Sequence, residues 1–144
     1  MRVDFAHKLD YIRQRKSFGK PLAAYQGINF PAAECYVNIE SARLLTYKAS
    51  WMADEFYTGK SKFKQKDLAL WGAMAKLRGP IMAFQTFNEV ADWLGAMGYS
   101  KEYPIEIGIR GVRSYSIGAE GGMNIMRMII ARELIGNEYT NPRN

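Results

Sequence analysis

Apolar positions along this chain recur at the three- and four-residue steps of amphipathic helices, and the reading they give is nearly all helical. Over residues 3–16 the apolar positions 5, 9 and 12 share one face, before Ser17, Gly19 and Pro21 break the run. A longer segment follows. Phe30, Ala33, Val37, Leu44, Tyr47 and Trp51 step by three, four or seven and carry the pattern to about residue 57. Such a stripe ordinarily forms core, and Asn29 is placed to cap the segment just ahead of Pro31. Polar residues 58–66 make a connection. A third helix is expected over about 67–97, with Leu70, Met74, Leu77, Ile81, Phe84, Ala91 and Leu94 on one stripe. Pro80 has no N–H to donate to the Lys76 carbonyl, so a kink or break is expected at Gly79-Pro80, and Gly95 and Gly98 end the helix. Glycine, proline and polar residues then predict a loop over about 100–120, with one helical turn near Pro104. The last helix, about 123–135, turns Ile125, Met128, Ile129 and Leu134 inward until Gly136 stops it.

Four helices with short to medium connections predict an all-α, up-down four-helix bundle, a single domain over residues 1–144. Two helices of roughly 30 residues are each about 45 Å long at 1.5 Å per residue. Ends that project beyond so small a bundle predict association with further polypeptide.

Composition narrows the chemistry. The chain has 144 residues, of which 48% are hydrophobic, enough for one cored domain. No stretch approaches the roughly 20 apolar residues that span a bilayer. A single cysteine, Cys35, excludes an internal disulfide and a multi-cysteine zinc site, and a single histidine, His7, removes the usual histidine-based metal and triad chemistries. Cys35 reads as a small buried hydrophobe and His7 as a residue on an exposed helix face. The net charge is +6, from 20 basic and 14 acidic residues. This suits an anionic partner or simply a solvated basic surface. Acidic residues are interspersed among the basic ones and no basic run exceeds two residues, which leaves nothing to mark a nucleic-acid binder. The basic N-terminal segment also carries Asp4 and Asp10 and reads as a folded helix rather than a targeting peptide.

Several short strings in fixed order carry more information. They are QRKSFGKPLAAYQGI (14–28), IESARLL (39–45), DWLGAMGYSKEYPIE (92–106) and IRGVRSYSIGAEGGMNIMRMIIARELIG (109–136). Together they resemble the C-terminal helical domain of the acyl-CoA dehydrogenases. That family shows R-K-x-F-G-K, Q-x-x-GG-x-G-Y-x-x-E-Y-P, R-D-A-R and E-G-T-x-x-I-x-R in the same order. The likeness covers essentially the whole chain. It implies a flavoenzyme module, with the family's N-terminal helical domain and middle β-domain outside these residues.

By this resemblance Glu120 is the base that removes the α-proton of an acyl-CoA thioester on the way to the trans-2-enoyl-CoA, while the β-hydrogen leaves as hydride to FAD. Its backbone N–H and a ribityl hydroxyl of FAD would be the oxyanion donors, and Gly121 would let substrate approach the backbone. From position alone, Glu120 reads rather as a surface acid or one capping the last helix, and the family strings around it reverse that preference. Arg15 matches the arginine that reaches the FAD pyrophosphate of a neighbouring subunit; from position alone it is a solvated charge at a helix end. Phe18, Tyr25 and Gln26 match residues near the adenosine half. Asp92, Gly95 and Ala96 fall in the segment whose glycines lie against the dinucleotide across a dimer interface. Gly122, Met123 and Asn124 match the segment that contacts FAD from the chain bearing the base. The sequence departs from the family pattern at Asp92 (glutamine there), Ala96 (glycine), Gly111 (aspartate), Ala119 (an aromatic) and Gly122 (threonine).

The resemblance further implies an acyl-CoA substrate, an electron-transferring flavoprotein or similar acceptor, a homodimer or homotetramer, and a cytoplasmic or mitochondrial-matrix location. The alternative is a catalytically incompetent assembly module of the same fold.

Overall fold

The computed structural model describes residues 2–60, 62–119 and 121–140, with side-chain surroundings from Phe5 onward. The chain is all-α, as the periodicity predicts. Helix α1 (Arg2–Gln14) buries Phe5 and Ile12 and leaves His7 exposed. The break expected after it is a tight antiparallel hairpin, β1 (Lys16–Ser17) against β2 (Lys20–Pro21), followed by a 3-10 turn over Leu22–Ala24. Phe18 and Gly19 form its tip with φ of +48° and +80°. The chain reverses within two residues because both adopt the left-handed region that such a turn requires.

Helix α2 (Gln26–Tyr57) starts three residues before Asn29, so Asn29 is not its cap. The amides of Ile28 and Asn29 already donate to the Tyr25 carbonyl, each at 2.9 Å, and the Asn29 amide group is spent on the Ala23 carbonyl at 3.0 Å. The stripe expected to face the core faces outward instead: Phe30, Val37, Leu44, Tyr47 and Trp51 are 46–63% exposed. The buried face is Ala32, Cys35, Ile39, Ala42 and Met52. Both rows recur at helical spacing. The inner one is rich in small residues, which let neighbouring helices approach closely.

Helix α3 (Gln65–Leu94) is continuous through Gly79-Pro80: of the kink or break expected there, the break is absent, and Pro80 leaves the Lys76 carbonyl without its helical donor. It ends three residues early. Gly95, at φ +59°, turns the chain into the single-turn helix α4 (Ala96–Tyr99). The stretch expected as a loop over 100–120 instead holds α5 (Ile105–Ile117). Ile105, Ile109, Val112 and Ser116 form a buried or half-buried line along it. Gly108, which argued for a loop, lies in the helix because Phe87 occupies its side-chain space; a Cβ there would lie 2.5 Å from the ring. Helix α6 (Met123–Ile135) has the expected bounds, but Ile125 and Leu134 are exposed and Met126 is the buried residue. Gly136, at φ +100°, closes it with an N–H bond to the Arg132 carbonyl, and α7 (Asn137–Thr140) follows.

The chain divides into two compact units, Met1–Glu40 with Met82–Arg113, and Ser41–Ile81 with Ser114–Asn144. The first is built on Phe5, Ile12, Ala32, Cys35, Ile39, Val90, Trp93, Leu94 and Ile105, with the Phe5 and Trp93 rings 6.1 Å apart. In the second, Ala42, Met52, Ala73 and Met126 are buried, and the Lys48 ammonium lies 4.2 Å from the Trp51 ring centre, with Phe63 and Trp71 beside it. Among the described residues no helix is long and apolar enough to cross a membrane.

Candidate cofactor and catalytic sites

In the first unit, the end of α1, the hairpin and the α3–α4 junction enclose a cleft of about 400 Å³. Arg15, Ser17, Asp92, Gly95 and Ala96 line it, with Trp93 and Leu94 in its wall. Four of the residues singled out from sequence, Arg15, Asp92, Gly95 and Ala96, therefore meet here although nearly eighty positions separate the two segments. The Arg15 guanidinium is exposed and has no hydrogen-bond or ion-pair partner among the described residues, which leaves its donor fork available to an anion. Asp92 brings a carboxylate to the lining of the same cleft.

Phe18 stands at the hairpin tip, 96% exposed. Tyr25 contributes indirectly, since its hydroxyl donates to the Ser17 carbonyl at 2.7 Å and holds the hairpin against the start of α2. Gln26 opens α2 fully exposed and does not line the cleft. The junction itself is sterically fixed: a Cβ on Gly98 would sit 2.3 Å from the Ala91 carbonyl oxygen, so only glycine lets α4 pack against α3. On the other side of Asp92 and Gly95 lies a larger open cleft of about 790 Å³, bounded by Tyr99, Lys101 and Glu106.

The second unit carries the other candidates. Glu120 lies outside the described residues. The segments on either side of it are described. The Gly118 N–H bonds to the Ser114 carbonyl at 3.0 Å, Gly121 has φ +102°, and the Gly122 carbonyl accepts from Ile125 and starts α6. Met123 is the first residue of α6 and half-buried; the Asn124 side-chain oxygen accepts from Arg127 at 2.9 Å. A Cβ on Gly122 would lie 3.1 Å from the Ile117 carbonyl oxygen, a tight contact at the position where the family pattern has threonine. Periodicity gave no sign of Lys76. From α3 its ammonium donates to the Ala119 carbonyl at 2.6 Å, with the Tyr115 ring 5.8 Å away. Forty-three positions separate donor and acceptor, so no local pattern could have paired them.

Cys35 is buried in the first unit, as expected. Burial pushes its thiol pKa up against the opposing pull of the Thr86 hydroxyl, and the carboxylates of Glu89 and Glu34 add to the rise.

A family model described as "Acyl-CoA dehydrogenase, C-terminal domain" matches residues 1–135. The Bacillus subtilis (strain 168) protein named "Probable acyl-CoA dehydrogenase YngJ" is 34% identical over 127 residues, covering 88% of this chain and 31% of that protein. The 3-sulfinopropanoyl-CoA desulfinase of Paraburkholderia xenovorans is 31% identical over 135 residues, covering 94% of this chain and 32% of that protein. Among solved structures, the butyryl-CoA dehydrogenase of Megasphaera elsdenii superposes with a TM-score of 0.79 at 31% identity, over 93% of this chain and 32% of that one. The chain thus spans about a third of the length of the relatives it matches.

Proposed function

The chain belongs to the acyl-CoA dehydrogenase family, as its C-terminal domain, and from that premise we propose that it is the part of a FAD-dependent acyl-CoA dehydrogenase that supplies the catalytic base. Glu120 removes the α-proton of the bound acyl-CoA. Negative charge gathers on the thioester oxygen as the proton leaves, and by the family pattern the backbone N–H of residue 120 would be one donor to that oxygen. Gly121 leaves the backbone open to the substrate. The observation that supports this reading is the glycine pair leading into α6, Gly121 at φ +102° and Gly122 at the helix start, which in sequence directly follows the residue that the family pattern assigns as base.

The family is one of flavoproteins, and the cleft beside α1 fits one part of FAD. It offers, for a pyrophosphate, the Arg15 guanidinium, without a partner among the described residues, and side-chain-free backbone at Gly95; the Phe18 ring at the nearby hairpin tip is exposed and free to meet an adenine. Gly122, Met123 and Asn124 would hold the flavin end. When bound, FAD accepts the β-hydrogen as hydride. The two sets of candidate residues belong to different units, in keeping with each serving a different copy of the cofactor in a dimer or tetramer. The exposed apolar row of α2 favours such assembly. An acyl-CoA substrate, an electron-transferring flavoprotein as acceptor, and a cytoplasmic or mitochondrial-matrix setting complete the proposal.

The test is Glu120→Gln in the complete enzyme, with acyl-CoA-dependent bleaching of the flavin as readout. Loss of nearly all dehydrogenation with an unchanged circular dichroism spectrum is expected. Activity near wild type would remove Glu120 from the reaction.

A further inference from the structure

We propose that Lys48 is a modification site: a lysine that carries two methyl groups on its side-chain nitrogen, held by an aromatic cage of Trp51, Phe63 and Trp71. All four residues belong to the second unit, and the proposal stands apart from the dehydrogenase reading. Trp51 lies one turn beyond Lys48 on α2, Phe63 sits in the connection that follows, and Trp71 is on α3. The Trp51 and Phe63 rings stand 5.5 Å apart at 80° and so form a corner, and Trp71 is the third ring within reach of the same ammonium. Lys48, Phe63 and Trp71 are half-buried. Among the described residues no carboxylate pairs with the Lys48 ammonium and no acceptor takes its N–H groups. Its charge is met by aromatic rings alone, the arrangement that recognises methylated ammonium groups.

The distances set the size of the group that fits. Nζ lies 4.2 Å from the centre of the Trp51 ring, but 5.6 Å from that of Trp71 and 5.8 Å from that of Phe63. The two farther rings therefore stand 1.4 and 1.6 Å beyond the near one, and an N–C bond is about 1.5 Å long. One methyl directed at each of them would place its carbon about 4 Å from the ring, ordinary contact for two carbons. A bare ammonium leaves both gaps unfilled and brings three N–H donors into a half-buried site that offers them no oxygen. Two methyl groups keep the charge, remove two of those donors and cover ring surface with apolar carbon.

The methyl groups come from a sulfonium donor held by a separate methyltransferase. The neutral Lys48 nitrogen attacks the donor methyl carbon; the C–N bond forms as the C–S bond breaks, the donor leaves as a thioether, and the nitrogen releases one proton for each methyl gained. Trp51 is 46% exposed, so the cage is open on one side and the flexible lysine stem can leave it for the transferase and return. Trp51 also belongs to the outer row of α2, which places the transfer before any assembly that covers this row. Once back in the cage, the dimethylated side chain ties α2 to α3 through Trp71.

The test compares the complete enzyme made in its native cells with the same enzyme made in a host that leaves lysines unmodified. Peptide mass spectrometry of the native enzyme should find two methyl groups on Lys48, and a Lys48 found unmodified overturns the proposal. Moving two methyl groups from water onto ring surface should raise Tm of the native form above the unmodified form by about 2 °C. That difference should vanish in Lys48→Arg and in Trp71→Leu, each made in both hosts so that the cost of the substitution itself cancels. If Trp71→Leu does not fold, Phe63→Leu carries the comparison. A methylated Lys48 with equal Tm in the two forms, or with the same difference in Trp71→Leu, would overturn the cage as the holder of the modified side chain.

Discussion

Replacing Gly98 with alanine would put a methyl where backbone already sits. An ideal Cβ at that position lies 2.3 Å from the Ala91 oxygen, 2.7 Å from its Cα and 2.9 Å from its carbonyl carbon. Ordinary contact begins near 3.4 Å, so α4 must move away from α3 by about 1 Å. The obstruction is helical backbone rather than a side-chain tip, and no rotamer change relieves it. The cost belongs at the upper end of overpacking, about 3 kcal/mol, which for a chain of this size lowers Tm by roughly 10 °C. Gly72 is the control, exposed on α3 with open space for 4 Å around the methyl that alanine would add. Gly72→Ala should stabilise by about 0.5–1 kcal/mol through helix propensity alone. Thermal and urea unfolding followed by far-UV circular dichroism gives both numbers. The two changes should act with opposite signs, and a Gly98→Ala chain that melts with wild type would refute the clash.

Two further outcomes join those stated for Glu120 and Lys48. Burial raises the Cys35 pKa, so the folded state favours the neutral thiol. Below the ordinary thiol pKa both states keep the proton and the linkage vanishes; as pH climbs past it the unfolded chain ionises first and stability falls. Urea titrations at rising pH should therefore show a steeper alkaline loss for wild type than for Cys35→Ala, and parallel curves would contradict the assigned environment. Tyr25→Phe deletes the bond to the Ser17 carbonyl and should cost about 1 kcal/mol, with faster amide exchange confined to residues 16–22; unchanged exchange there would show that the hairpin does not depend on that hydroxyl.

The helices were legible wherever a single apolar row met a clear stop, as in α1 and in the ends of α6. They were misread where two physical signals competed. On α2 both an inner and an outer row keep helical spacing, and period alone cannot rank them; the small side chains of Ala32, Cys35 and Ala42 mark the inner one. On α5, Gly108 and Gly111 suggested a loop because the glycine preference for turns is local, whereas the reason for Gly108 is the Phe87 ring, twenty-one positions away. The hairpin at 16–21 is too short for any alternation to register. Of the candidate sites, Arg15, Asp92, Gly95 and Ala96 do gather in one cleft. Their order in the chain could not have shown that without the family strings. Lys76 was invisible for the same reason in stronger form, since its whole significance is one long-range bond.

Because α2 presents Ile39 and Met52 to the interior and Leu44 and Tyr47 to solvent, a directed-evolution campaign on this chain alone would be misled. Selection for yield would reward serine or lysine along the outer row, and melting curves would register no loss. The winners would carry a polar outer row, having discarded the face that the proposed assembly would need.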